Sequence, residues 1–270
     1  MDPRPAEVPP SGTVERAAWD YVTTRSLTAK VEPPPPPAAT ESDPPARRIA
    51  APGRPPELDV VAKSRRSMRR GELRDPSRRA RLLHTFWHHE LQAAELFCYA
   101  RLAFPTAPAE FRDGLMQLWS DEVRHMRMYQ ARIEALGHGL GDFPVRDWFW
   151  TRVPQCRSPL EFVALMGLGL EGGNLDHAAR FTDWLADAGD PESAAVQATV
   201  GREEIAHVRF AARWFREWTG GLEFDAWREA LTPPLTPALF RGRPIAAAPR
   251  RAAGLPDSFV KALAAWSDPA

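Results

Sequence analysis

The sequence predicts an all-α protein built on a four-helix bundle, with a long crossover between helices two and three. A proline-rich arm precedes the bundle and a wrapping extension follows it. Three observations predict this. Four long stretches are bounded by strong helix start and stop signals, no strand-type alternation of any length occurs, and carboxylates and imidazoles recur in one order in both halves of the chain.

The arm, residues 1–74, holds fourteen of the 28 prolines within residues 1–57, Pro33 to Pro37 among them. Such a run favours extended polyproline backbone. One short helix is expected around Val14 to Leu27, with Trp19 and Val22 free to dock on the body. The stretch from Lys63 to Arg81 is strongly basic and could meet a polyanion, although a solvated flank is its usual meaning.

The bundle is expected over residues 75–220. Helix one begins at Asp75-Pro76, an N-cap followed by proline at the first helical position, and runs to about Ala103, where Phe104-Pro105 stops it. Helix two starts near Thr106 or Pro108 and ends at Gly137. A link from Gly137 to Arg157 follows, long enough to cross over and cap the bundle. Helix three begins at Ser158-Pro159, where Glu161 completes a capping box, and ends near Gly189. Helix four runs from Asp190-Pro191 to Gly220-Gly221. The extension, residues 221–270, should contain a short helix near Asp225 to Leu231 and a last one around Pro256 to Trp266.

Within the four helices stand Glu90, then Glu122-x-x-His125, then Glu171, then Glu204-x-x-His207. The first gap is 32 residues and the second 33, about one helical hairpin each. Residues three apart lie about 300° around a helix, so each Glu-x-x-His projects a carboxylate and an imidazole from one face. Four carboxylates and two imidazoles form the ligand set of di-iron carboxylate bundles, with Glu90 and Glu171 reaching between the ions. The oxygen-rich set suits iron or manganese, as two Fe ions or a Mn or mixed Mn/Fe pair, and is a poor match for structural zinc. Cations would also neutralise carboxylates whose convergence in a core is otherwise costly.

Asp121 and Glu203 immediately precede the two motifs. Each could accept the free N–H of the opposite histidine, Asp121 from His207 and Glu203 from His125, fixing tautomer and basicity. Tyr129, two turns after Glu122 on its ligand face, is a core residue, a pocket wall or a radical relay. Glu95 and Asp176 each fall five residues after a lone Glu, off its face, and read as interhelical or surface acids. His84, His88 and His89 do not share the ligand face of Glu90. Gly167, Gly169, Gly172 and Gly173 surround Glu171; each interior glycine costs about 1 kcal/mol relative to alanine. They point to an open pocket, a close helix approach or a local helix distortion, the pocket being slightly favoured.

Zero net charge gives no general pull toward nucleic acid or membrane, and no run of 18 apolar residues or signal-peptide pattern occurs. With only Cys98 and Cys156, both expected as buried thiols, the composition reads as a soluble protein of a reducing compartment, most simply the cytoplasm. A surface rich in tryptophan and arginine could support a homodimer.

Several segments resemble a bacterial ferritin-like family of uncharacterised function. They are His88-His-Glu-Leu-Gln-Ala-Ala-Glu-Leu-Phe97, Asp121-Glu-Val-Arg-His125, Val145-Arg-Asp-Trp-Phe-Trp150, Glu171-Gly-Gly-Asn-Leu-Asp-His177 and Glu203-Glu-Ile-Ala-His-Val-Arg-Phe210. Glu90-Leu-Gln-Ala also looks like the first-helix motif of rubrerythrins. More distantly, the chain is similar to di-iron tRNA hydroxylases and demethoxyubiquinone hydroxylases. The resemblance implies a ferritin-like bundle with a dinuclear site. Peroxidase-type members of that superfamily place an extra acidic ligand where this chain has Asn174, which speaks against a rubrerythrin-like peroxidase. The leading expectation is a non-haem oxidoreductase in which Glu90, Glu122, His125, Glu171, Glu204 and His207 activate O₂, with an unknown small-molecule substrate and a possible electron donor. The alternatives are iron handling as a ferroxidase or in peroxide removal, tRNA hydroxylation through the arginine run, and a purely structural metal.

Overall fold

The computed structural model describes residues 7–63 and 68–268. It is all-helical; among these residues the only β-type pairing is an isolated bridge between Val60 and Val145. The chain divides into two compact units, Met1–Pro154 and Gln155–Ala270. The division falls inside the predicted 137–157 link, so each predicted helical hairpin has a unit of its own.

In the first unit, α3 (Pro76–Ala103) and α4 (Ala109–Ala135) pack on one another. Asp75 caps α3 by accepting from Ser77 N at 2.9 Å, and Pro76 occupies its first turn, as the sequence predicts. Arg101, buried near the end of α3, holds Asp113 of α4 at 3.0 Å and Glu15 of the arm at 2.9 Å. The arm contains two helices where one was expected over Val14 to Leu27. α1 (Val14–Thr23) ends at Thr24, whose extended backbone breaks the path, and Ser26 caps a separate α2 (Leu27–Val31) by accepting from Ala29 N. Val22 is fully buried, whereas Trp19 is only half-buried.

The arm is fastened to α3 by a buried ion-pair cluster. Glu95 accepts from Lys30 at 2.7 Å, Arg54 at 2.6 Å and the Trp150 indole at 2.7 Å. Arg54 also grips Asp147, which meets His88 Nε2 at 3.1 Å. The link therefore runs along α3, and Gln92 adds hydrogen bonds to Arg146 O and from Phe149 N. His84 accepts from Gly141 N at 3.0 Å through Nε2. Burial first, then the proximity of His88, pushes His84 down to about 4. Its folded pKa lies below the unfolded value of about 6.5, so the unfolded state binds the proton first and stability falls as pH drops from about 6.5 to 4. His84 should cost the protein about 2 kcal/mol between pH 7 and pH 5. Urea titrations at both pH values check this: His84→Gln should flatten the pH dependence by that amount, and an unchanged slope would refute the assignment.

In the second unit, the predicted third helix is a composite. α5 (Pro159–Phe162), capped by Ser158, leads into a π-helical stretch, Val163–Glu171, and then α6 (Gly172–Asp187). α7 (Pro191–Thr219) packs against both of the longer parts, starting at the Asp190 cap and ending at left-handed Gly220. A Cβ on Gly167 would overlap the methyl of Ala211, and one on Gly201 would stand 2.6 Å from that of Ala178. These glycines let the helices approach closely. Gly169, Gly172 and Gly173 are likewise covered, by Phe240 and Arg250 at 3.2–3.4 Å from a built Cβ. The slightly favoured open pocket beside Glu171 is thus corrected: the glycines admit neighbouring helix and extension, and the distortion considered alongside it is present. Gly167→Ala should destabilise by about 1–3 kcal/mol through overpacking, and Ala211→Gly in the same chain should recover much of the loss. Thermal melts of the single and double variants measure it.

The extension comprises α8 (Phe224–Ala230), a 3₁₀ turn at Pro237–Phe240, α9 (Ala247–Ala252) and α10 (Asp257–Ala265). The middle helix was not foreseen. Trp227 of α8 donates its indole N–H to Ala164 O at 2.9 Å, satisfying a carbonyl of the π-helical stretch. Asp176 accepts from Gly242 N, Ala246 N and the Arg250 guanidinium at 2.7–3.2 Å, all in buried or half-buried surroundings.

Candidate metal centre

Three side chains in the first unit bring ligand atoms within 4.8 Å of one another: Glu90 from α3, and Glu122 and His125 from α4. His125 Nδ1 stands 3.3 Å from Glu122 Oε2 and 3.5 Å from Glu90 Oε2. All three are buried. In the second unit Glu171, Glu204 and His207 do the same, and His207 Nδ1 stands 3.2 Å from Glu204 Oε2. Glu171 closes the π-helical stretch, while Glu204 and His207 share a face of α7. Buried Glu and His groups of this make-up could hold a metal ion.

The electrostatics fit a cation. Burial disfavours a charged imidazole, yet hydrogen bonds and negative charge from Glu122 and Glu90 push His125 up to about 11. Two carboxylates forced together in a dry site thus draw positive charge even against desolvation. Three hard or borderline ligand atoms with two negative charges match a divalent ion such as iron or manganese.

The family described as a protein of unknown function, DUF455, matches residues 13–261. The chain belongs to the DUF455 family. No curated protein and no solved structure matches it.

Other residues singled out in this DUF455 chain take different places. Asp121 is partly exposed and pairs with Arg124 at 3.1 Å on its own helix; Glu203 and Asn174 are half-buried. Tyr129 is buried with its ring 5.8 Å from that of Phe86, in the core position weighed for it. His88 is buried on Asp147, and His89 stacks on Phe149 at 5.1 Å. Cys98 and Cys156 are buried free thiols. In the basic stretch, Arg65 and Arg66 lie outside the described residues. Arg79 donates to Leu73 O and Arg74 O, and Arg81 lies over Phe143, so part of the run serves local structure. None of the described helices is long and apolar enough to cross a membrane.

Sequence reasoning missed the cations that meet Glu95 and Asp176. A signal was present: both acids fall five residues after the lone Glu of their half. Each fastens the flanking segment of its own unit, Glu95 the arm and Asp176 the extension.

Proposed function

We propose that this DUF455 protein is an O₂-activating di-iron, or manganese-containing, oxidoreductase whose two buried triads form the halves of one dinuclear centre in a ferritin-like four-helix bundle. The observation that carries the reading is the equivalence of the triads: one Glu and one Glu-x-x-His each, buried, with ligand atoms within 4.8 Å. Neither triad alone provides the four carboxylates and two imidazoles of such a centre.

In this reading Glu90, Glu122 and His125 hold one side, and Glu171, Glu204 and His207 the other. Bound iron would supply the electrons that reduce O₂. The ligand imidazoles must be neutral, so metal loading displaces the proton that Glu122 and Glu90 hold on His125, and binding weakens as pH falls. The buried surroundings exclude bulk water from the carboxylates, so their charge acts at full strength on what they hold. An organic substrate is the favoured reductant-coupled target, with an electron donor supplying further electrons.

The test is anaerobic loading with Fe(II), then exposure to O₂ in an oxygen-electrode cell. Rapid O₂ consumption that disappears in Glu122→Ala and Glu204→Ala is expected. A protein that holds two irons and consumes no O₂ would overturn the proposed activity.

A further inference from the structure

The link carries two arginines, Arg146 and Arg152, around its aromatic run Trp148-Phe149-Trp150, and the metal centre uses neither. Both are half-buried. Arg152 places its guanidinium carbon 3.9 Å from the centre of the Trp148 ring, and its Nη1 donates to Trp148 O at 3.0 Å and to Thr151 Oγ1 at 2.7 Å. The group is thereby fixed with its Nε–Nη2 edge unused, the edge that grips a phosphate through two parallel N–H bonds. Among the described residues, neither guanidinium has an acid as ion-pair partner. The one carboxylate between them in sequence, Asp147, is occupied: Arg54 holds it at 2.9 Å and His88 at 3.1 Å. Burial first, then the positive charge of Arg146, keeps Arg152 below its ordinary pKa. Two like charges thus act on one another in partly dry surroundings, which is unfavourable until an anion joins them. The backbone that carries them is well held. Gln92 grips Arg146 O and Phe149 N, while Trp148 N donates to Arg146 O at 2.8 Å, Thr151 N to Asp147 O at 3.1 Å and Arg152 N to Phe149 O at 3.0 Å. A ligand would therefore bind without first ordering the turn.

We propose that Arg146 and Arg152 form a binding site for a small molecule that bears a dianionic phosphate group. The inference goes beyond the metal chemistry above and needs no metal. Two cations without a carboxylate match the charge of about −2 on a phosphate monoester at neutral pH. The fork edge of Arg152 takes two of its oxygens, and Arg146 supplies the second positive charge. The turn also acquires a division of labour. Asp147 ties it to Arg54 and His88, which leaves the charges of the flanking arginines for a ligand.

Phenyl phosphate is a suitable probe. Titrated calorimetrically into full-length protein stripped of metal by a chelator, it should bind saturably, and added salt should weaken it. Arg146→Gln and Arg152→Gln should each raise its Kd about tenfold or more, the usual contribution of a charge-assisted hydrogen bond. Arg152→Lys keeps the charge without the fork and should retain only part of the affinity. Arg74→Gln, at an exposed arginine of the same unit, should leave the Kd unchanged. Benzoate, with a single negative charge, should bind more weakly. Thermal melts separate binding from a structural role: without ligand, Arg146→Gln should melt no lower than the parent, because it removes a repulsion. No saturable binding, or binding that both glutamine variants retain, would overturn the proposal, as would benzoate binding as tightly as phenyl phosphate. An oligonucleotide with phosphodiesters alone that binds more tightly through the same arginines would overturn it in favour of a nucleic-acid strand. With metal absent throughout, the result is independent of whether bound iron reacts with O₂.

Discussion

Glu122→Gln is expected to weaken metal binding on the order of a hundredfold or more, since loss of an outer-shell partner alone typically costs 10–100-fold. The same change should raise the melting temperature of the metal-free protein. Glu90 and Glu122 crowd His125 in a buried site, and the amide removes one carboxylate whose burial without a metal is costly. Opposite signs with and without metal mark a residue kept for its ligand and not for its packing. Isothermal titration with Mn(II) and paired thermal melts provide both numbers. A fall in stability in both states, with metal affinity intact, would show Glu122 to be a structural acid. Glu204→Gln is expected to behave alike in the second triad.

Glu95→Ala should be the most destabilising single change in the arm's anchorage, by about 3–5 kcal/mol, because Lys30 remains fully buried without its carboxylate. Burial works against ionisation of Glu95, but Lys30 and Arg54 outweigh it and hold its pKa below the ordinary carboxylate range. The sign follows: a depressed folded pKa makes this contribution present above the unfolded pKa of about 4.3 and lost as pH falls through the folded value. The loss should appear as a drop in melting temperature of about 6–20 °C. Replacing Lys30 with Met alongside Glu95→Leu should recover a large part of it, since removing both charges avoids the desolvation cost. A single-variant loss below about 1 kcal/mol would mean that water reaches Lys30.

The elements legible in the sequence were those set by local chemistry. Asp75-Pro76, Ser158-Pro159 and Asp190-Pro191 start helices because a side-chain acceptor and a proline satisfy the first turn without distant help. The closeness of Glu122 to His125 and of Glu204 to His207 was legible because a three-residue spacing places two side chains on one helix face wherever the helix lies. The break at Thr24–Ser26 was harder to see, since Ser26 competes for the backbone only through its own cap to Ala29. The π-helical stretch was visible only as a cost: four glycines around Glu171 demanded compensation, and what supplies it, Ala211, Phe240 and Arg250, lies more than forty residues away in Ala211 and further still in the others. The roles of Lys30, Arg54 and Arg250 were out of reach for the same reason. A buried cation needs its carboxylate, and the pairing is decided by tertiary packing, not by neighbours in sequence.

Whether the two triads act as one centre is decided by loading the metal-free protein with Mn(II) and recording its electron paramagnetic resonance spectrum alongside metal analysis. Two manganese ions per chain with a spin-coupled spectrum, reduced to an uncoupled signal or none in Glu122→Gln and Glu204→Gln alike, is the expected result. Two ions per chain showing only the six-line signal of isolated Mn(II), each lost independently with its own triad, would contradict a shared dinuclear centre.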